Sequence, residues 1–194
     1  MTDNPTLGLV DTTTVPVTIS VASMRQRFNG CEPDYIRDVC GGACCRSSKG
    51  GISVAVAPIE VRGLVARGAV VVDGMVQPSH SGTCPFQHAM TRLCTIHGTD
   101  DKPFGCIASP FVLTSRDTLV VRNRYRLLRC YDDGRRLPAY VAFRASLALL
   151  FGSAGADDIA ARLGPSDAVN FVVPMPRRSY DMLGTIAHTR KGPR

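Results

Sequence analysis

Three features of the sequence predict an α+β fold. Two segments read strand–turn–strand, two carry helix punctuation, and a cysteine-rich loop region lies at the centre. In chain order, "VPVTISV" (15–21) alternates apolar and polar residues and predicts a strand. "ASMRQRF" predicts a short helix or loop leading to Cys31. The segment 38–51 contains Gly41, Gly42, Gly50 and Gly51, with Gly30 just upstream, and predicts irregular backbone. "ISVAV" predicts a strand. "APIEVRGLVARG" predicts a helix with Pro58 in its first turn and Gly68 at its end.

"AVVVDGMVQ" sets β-branched residues on both sides of Asp73-Gly74, the dipeptide of a type I′ hairpin. Residues 79–112 read as loops around Cys84, Cys94 and Cys106, with strand-like pieces at "LCTIH" and "IASPFVL". "FVLTSRDTLVVRNRY" predicts a second hairpin turning at Ser115–Asp117. "LPAYVAFRASLALLF" (137–151) predicts the longest helix, between Pro138 and Gly152. A Gly/Ala/Asp stretch (152–157) precedes a short helix at "DDIAARLG". "NFVVPMP", a helix-like "RRSYDMLGTIAHT" and a basic tail close the chain. The organisation expected is a leader (1–20), a cysteine-rich domain (21–152), and a helical appendage with a basic tail (153–194).

With 194 residues, 44% of them hydrophobic and no tryptophan, the chain predicts one domain with an aliphatic core. Aromatic residues make up only 6%, so cross-links or metals are expected to supply rigidity. No stretch approaches the ~20 apolar residues of a membrane span; the longest, "YVAFRASLALLFG", is broken by Arg144 and Ser146. The N-terminus carries no basic segment ahead of an apolar run, so no secretory signal and no membrane partner are expected. A cytoplasmic location follows.

In a reducing compartment eight cysteines point to metal or redox chemistry rather than disulfides. They fall at 31, 40, 44, 45, 84, 94, 106 and 130, and no C-x2-C zinc knuckle occurs. Cys44 and Cys45 are adjacent. Their side chains point to opposite faces of an extended chain, or ~100° apart on a helix. Neighbouring thiols therefore suit a polynuclear cluster or two metals better than one ion. Glycine lets backbone N–H groups approach the sulfurs closely. His97, at C-x2-H from Cys94, has ligand-compatible spacing but reads more readily as an ordinary half-buried histidine; His80, His88 and His188 lack even that.

The ordered motifs "CEPDYIRDVCGGACC", Gly50-Gly51 with "APIE", "GTCPF", "LCTIH" and "KPFGCIASPF" resemble the YkgJ-type cysteine-cluster family, described as zinc- or iron-chelating domains. The late Cys130 in "LLRC" is similar to a cysteine of a related domain that opens C-x8-C-K-G-A-C-C. The resemblance spans roughly residues 31–130. It departs from the family pattern in lacking CxxC at Cys40, in Ile107 where arginine is common, and in His97 where tyrosine is common. A related class, the flagellin lysine N-methylases, has a similar cysteine pattern and is associated with an iron–sulfur cluster.

The resulting expectation is a small cysteine-rich, metal-stabilised domain with short β-hairpins and a few helices. It holds an iron–sulfur cluster of the 4Fe–4S kind, or iron, with zinc as the alternative. Cys40, Cys44, Cys84, Cys94 and Cys106 are the first candidates as ligands. Cys31, Cys45 and Cys130 complete a second or larger site. Dinucleotide, Walker and nucleophile-elbow motifs are absent, and the only glutamates are Glu32 and Glu60.

The net charge of +7 comes with twenty arginines and three lysines. Arg122, Arg124, Arg126 and Arg129 interleave with Tyr125. On a strand, the first three share a face able to contact an anionic partner, either nucleic acid or an anionic substrate. The same run also reads as a solvated, charge-guarded edge strand. The alternatives to a simple metal-binding protein are a zinc-stabilised nucleic-acid- or protein-binding module, and a cluster-dependent group transferase or oxidoreductase.

Overall fold

The computed structural model describes residues 13–46, 54–132 and 136–189. The expected leader up to residue 12, Gly50-Gly51, the start of "ISVAV", Arg135 and the basic tail from 190 lie outside these residues, as does the side chain of His188. The fold is mixed α and β, as expected.

Strand β1 (Thr14–Ile19) lies inside a four-stranded sheet ordered β5-β6-β1-β8, with β5 (Phe111–Leu113), β6 (Thr118–Val121) and β8 (Phe171–Pro176). It runs parallel to β6 and antiparallel to β8, where six residue pairs run from Thr14↔Pro176 to Ile19↔Phe171. Pro16 lies opposite Pro174. Neither has an N–H, so this is a non-hydrogen-bonded pair, and the odd-numbered residues of β1 bond to β8. The even-numbered ones turn toward β6: Thr18 N–H donates to the Asp117 carbonyl at 2.9 Å. The prolines of β8 are tolerated because β8 is an edge strand. The expected hairpin forms between β5 and β6, closed by Thr114 N–H to the Thr118 carbonyl at 2.9 Å.

Period-2 burial puts Val17, Ile19, Val173 and Met175 into the main core. α1 (Val21–Met24) follows β1, and Ser23 Oγ inside it accepts the Val121 N–H at 2.7 Å. β2 (Arg27–Phe28) pairs with β7 (Leu137–Pro138). Phe28 then meets Tyr131 and Phe143 edge-on at 5.4 and 5.5 Å.

The helix expected over 137–151 is divided. α5 (Ala139–Ala142) stops at Phe143, and α6 (Arg144–Leu163) follows. Gly152 interrupts α6 at φ 75°, as a helix-ending glycine should, but the helix resumes beyond it. The stretch 153–157 is therefore helical. Ala156, Ile159 and Leu163 carry the buried face of Leu147 and Leu150 onward into the same core, which outweighs the poor helix propensity of the glycines.

Residues 153–189 contribute to both the sheet and the main core. β8 is a sheet strand, and Leu183 of α7 (Arg177–Thr189) is fully buried in the main core. Arg25 fastens the end of α6 by donating to the carbonyls of Leu163 (3.0 Å), Ser166 (2.9 Å) and Pro165.

A second, smaller core lies in the excursion between β2 and β5. α3 (Pro58–Ala66) and the hairpin β3 (Val71–Val72) and β4 (Met75–Val76) form as expected, with Asp73 and Gly74 at φ 50° and 68°. Val54, Val56, Leu64, Val76, Phe86 and Ile96 make its apolar part. "LCTIH" contributes only the isolated bridge between Cys94 and Gln87, and "IASPFVL" begins in the short helix α4 (Phe104–Ile107) before it reaches β5. A chain stopped after Phe151 loses β8 and the buried Ile159, Leu163, Val173, Met175 and Leu183. It is expected to show no cooperative melt and no near-UV circular dichroism, whereas the full chain shows both.

Candidate metal centre

All eight cysteines are free, and they reach one region from four stretches of chain. α2 (Pro33–Tyr35) runs into a wide helical turn over Ile36–Cys40, which ends at Cys40. Gly41 and Gly42 follow at φ 59° and 62°, and a 3₁₀ turn then carries Ala43–Cys45. The glycines are required here. A Cβ on Gly41 would meet the Arg46 guanidinium, and one on Gly42 would lie 3.0 Å from the Arg92 carbonyl and overlap the Gln87 amide. The tight turn brings the Gly42 N–H to Cys40 Sγ at 3.3 Å and leaves Cys44 and Cys45 Sγ 3.9 Å apart.

The other thiols are tied to this turn by backbone bonds. Cys84 N–H donates to the Cys45 carbonyl at 2.8 Å, and Gln87 pairs with Cys94. The Gln87 side chain staples both loops, donating to the carbonyls of Arg92 (3.0 Å) and Gly41 (3.2 Å). Cys106 sits on α4, which Glu60 holds in place. One carboxylate oxygen accepts the Ala57 N–H at the start of α3 (2.8 Å), and the other accepts the Phe104 N–H (2.6 Å). On the other side, Asn29 N–H reaches the Cys130 carbonyl (2.8 Å), Tyr35 donates to Arg129 (2.7 Å), and Arg129 donates to Val39 (3.2 Å). Cys45, Cys84, Cys94 and Cys106 thus pack on the second core and Cys130 on the first. Cys31, Cys40 and Cys44 belong to neither core.

Cys44 is the electrostatic hub. Its charge acts on Cys31, Cys45, Cys84, Cys106, Cys130 and Tyr125. Loss of solvent, followed by neighbouring thiols, raises Cys31 to about 11 and both Cys106 and Cys130 to about 12. Desolvation also raises Cys84. Within the adjacent pair, the hydrogen bond from Cys45 favours the Cys44 thiolate, with help from Arg124, and holds the Cys45 proton in place. Among the described residues no three Cys, His, Asp or Glu side chains form a ready ligand set for one metal ion. The thiols surround a region rather than a point.

His97 and His88 are engaged with other partners. His97 Nδ1 lies 2.7 Å from Lys102 Nζ, and that charge lowers its pKa. His88 Nδ1 accepts the N–H groups of Met90 and Thr91.

The arginine run is not a strand. β6 ends at Val121, and Asn123–Leu127 form a 3₁₀ helix because Tyr125 turns into the core. The shared face expected for Arg122, Arg124 and Arg126 is therefore absent. Arg122 is only 6% exposed, and its Nε and Nη2 have no hydrogen-bond partner. Burial lowers its pKa, while Tyr125 and the Cys106 thiol act the other way. Arg124 lies over the Tyr125 ring and Arg126 over Tyr131, with centroid distances of 5.5 and 5.8 Å. Arg129 alone of the four lines a surface cleft, beside Cys40.

Sequence reasoning missed Gln87, Arg46, Arg92 and the bridging role of Glu60. A glutamate at the third helical position was the one available signal. Comparison with protein-family models, curated proteins and solved structures finds no match to this chain. Replacing Glu60 with alanine removes two charge-assisted bonds and is expected to cost about 2–4 kcal/mol in denaturant melts.

Proposed function

We propose that this chain is a metal-binding cysteine-cluster protein of the YkgJ type, holding an iron–sulfur cluster or iron in a reducing, cytoplasmic compartment. The observation that carries the reading is the collection of thiols from four separate stretches around Cys44. Packing alone gives no reason to place so many partly buried thiols beside left-handed glycines. The donor set is that of a soft metal, and the Gly42 N–H on Cys40 Sγ is the kind of bond that tunes a sulfur ligand.

Charge supports the same reading. The buried Arg122 guanidinium, whose Nε and Nη2 lack hydrogen-bond partners, is favoured by negative charge nearby, and thiolates around Cys106 supply it once metal displaces their protons. Cys40, Cys44, Cys84, Cys94 and Cys106 are the proposed ligands, with Cys31, Cys45 and Cys130 able to complete a second or larger site. Among the described residues no helix is long and apolar enough to cross a membrane.

One observation supports a second reading, a single tetrahedral ion such as zinc. The 3.9 Å between Cys44 and Cys45 Sγ is close to the edge, about 3.8 Å, of a tetrahedron with 2.3 Å Zn–S bonds.

The test is purification without oxygen, with absorption, iron, zinc and sulfide measured on one sample. The expected result is a broad band near ~400 nm with iron and sulfide in matched amounts. Stoichiometric zinc in a colourless protein would favour the second reading, and no bound metal at all would sink both. Cys44→Ser is expected to lower bound metal and to lower the melting temperature of the as-purified protein. Unchanged values of both would remove Cys44 from the ligand set.

A further inference from the structure

Two clefts, of about 460 and 530 Å³, open on the surface beside the thiols, and Arg46 and Arg92 line both of them. Cys40 and Arg129 border the first, while Cys84, Ser79, Ser81 and Thr83 border the second. The described lining residues include four arginines and no carboxylate. Arg37 is already neutralised by Asp34 at 2.9 Å and Asp38 at 2.8 Å, and Arg129 donates to a carbonyl. Arg46 and Arg92 differ. Among the described residues neither forms an ion pair, and the Arg46 Nε is buried without a hydrogen-bond partner.

Arg92 is held in the left-handed region, φ 63°, where a side chain with a Cβ is uncommon. Two bonds keep it there: its carbonyl accepts Gln87 Nε2 at 3.0 Å, and its N–H donates to the His88 carbonyl at 2.9 Å. Across the second cleft the hydroxyls of Ser79, Ser81 and Thr83 form a closed ring with separations of 2.9 to 3.1 Å. Ser79 Oγ also donates to the Thr83 carbonyl at 3.0 Å, which leaves the Ser81 and Thr83 hydroxyls to turn their protons outward to an acceptor.

We infer that the second cleft is a binding site for a small oxyanion-bearing molecule, a phosphate or a carboxylate, held between the Arg46 and Arg92 guanidiniums and the hydroxyl ring. Guanidinium forks match the planar or tetrahedral oxygens of such groups, and each bond is charge-assisted. The volumes suit a small ligand rather than a nucleic-acid strand. Bound there, the ligand lies against Cys84. The site needs no metal in the thiols to form, so it goes beyond the metal-binding reading.

The experiment uses the full chain as purified, titrated by calorimetry with inorganic phosphate and, separately, with malonate. The variants are Arg46→Gln and Arg92→Asn, asparagine being chosen because it tolerates the left-handed backbone. Arg116→Gln, at an exposed position of the β5–β6 turn, removes the same charge as a control. Saturable binding of at least one probe is expected, weakened at least about tenfold in each cleft variant and less than about twofold in the control. The probe that binds identifies the preferred group.

In the unsubstituted protein, phosphate or malonate should also protect Arg46 and Arg92 from phenylglyoxal, read by peptide mapping. That readout does not depend on the folding of any variant. No saturable binding, equal weakening in Arg116→Gln, or protection confined to other arginines overturns the inference. Metal content measured on the same samples separates the two readings. Loss of metal with retained anion binding counts against the cluster alone, and the reverse counts against the cleft alone.

Discussion

The six-pair ladder between β1 and β8 holds the two ends of the described chain together. β1 lies between β8 and β6, so residues from the start, middle and end of the sequence meet in one sheet. Its hydrogen bonds divide by parity, the odd positions bonding to β8 and the even ones to β6, and this division makes room for Pro16 and Pro174. A shift of one residue would place proline where an N–H is needed and turn Val17 and Ile19 away from the core. Everything between β2 and β5 is an excursion from this closed frame. Seven of the cysteines lie on that excursion, and Cys130 lies beyond it, between β6 and β7.

The thiol region is thus held from both sides. Cys130 rests on the sheet core, while four cysteines form one wall of the second core. The 3₁₀ turn with Cys44 and Cys45 spans the gap. Glu60, Gln87 and Tyr35 each bond across elements far apart in sequence, and each bond fixes the position of a different cysteine-bearing segment. The charges are arranged to match. Positive groups gather around the thiols: Arg122 inside, beside Cys106, and Arg46, Arg92 and Arg129 outside, beside Cys40 and Cys84. Any ion or anion arriving there meets charge that the fold leaves uncompensated.

The elements that came out as expected are those with short-range causes. Asp73-Gly74 forms its hairpin turn because both residues accept positive φ. Pro58 opens α3 because its missing N–H is unneeded there. β1 and the β5–β6 hairpin follow from alternation. The misreadings have a common origin in tertiary contacts. Gly152 does interrupt a helix, but the buried faces of Ala156 and Ile159 continue it. The arginines at 122, 124 and 126 alternate like a strand, yet the burial of Tyr125 pulls the backbone into a 3₁₀ turn.

The cysteine positions and glycine pairs in the sequence were enough to mark the thiol region and to predict a mixed α and β chain, because spacing and φ preference act within a few residues. Which thiols neighbour which could not be read there, because Cys45 meets Cys84, and Asn29 meets Cys130, through bonds spanning tens of residues. The same holds for Arg46 and Arg92. They are unremarkable in sequence and become a pair only when the Cys45–Cys84 and Gln87–Cys94 bonds fold two loops against each other. Charge balance is a property of neighbours in space, and the fold chose those neighbours.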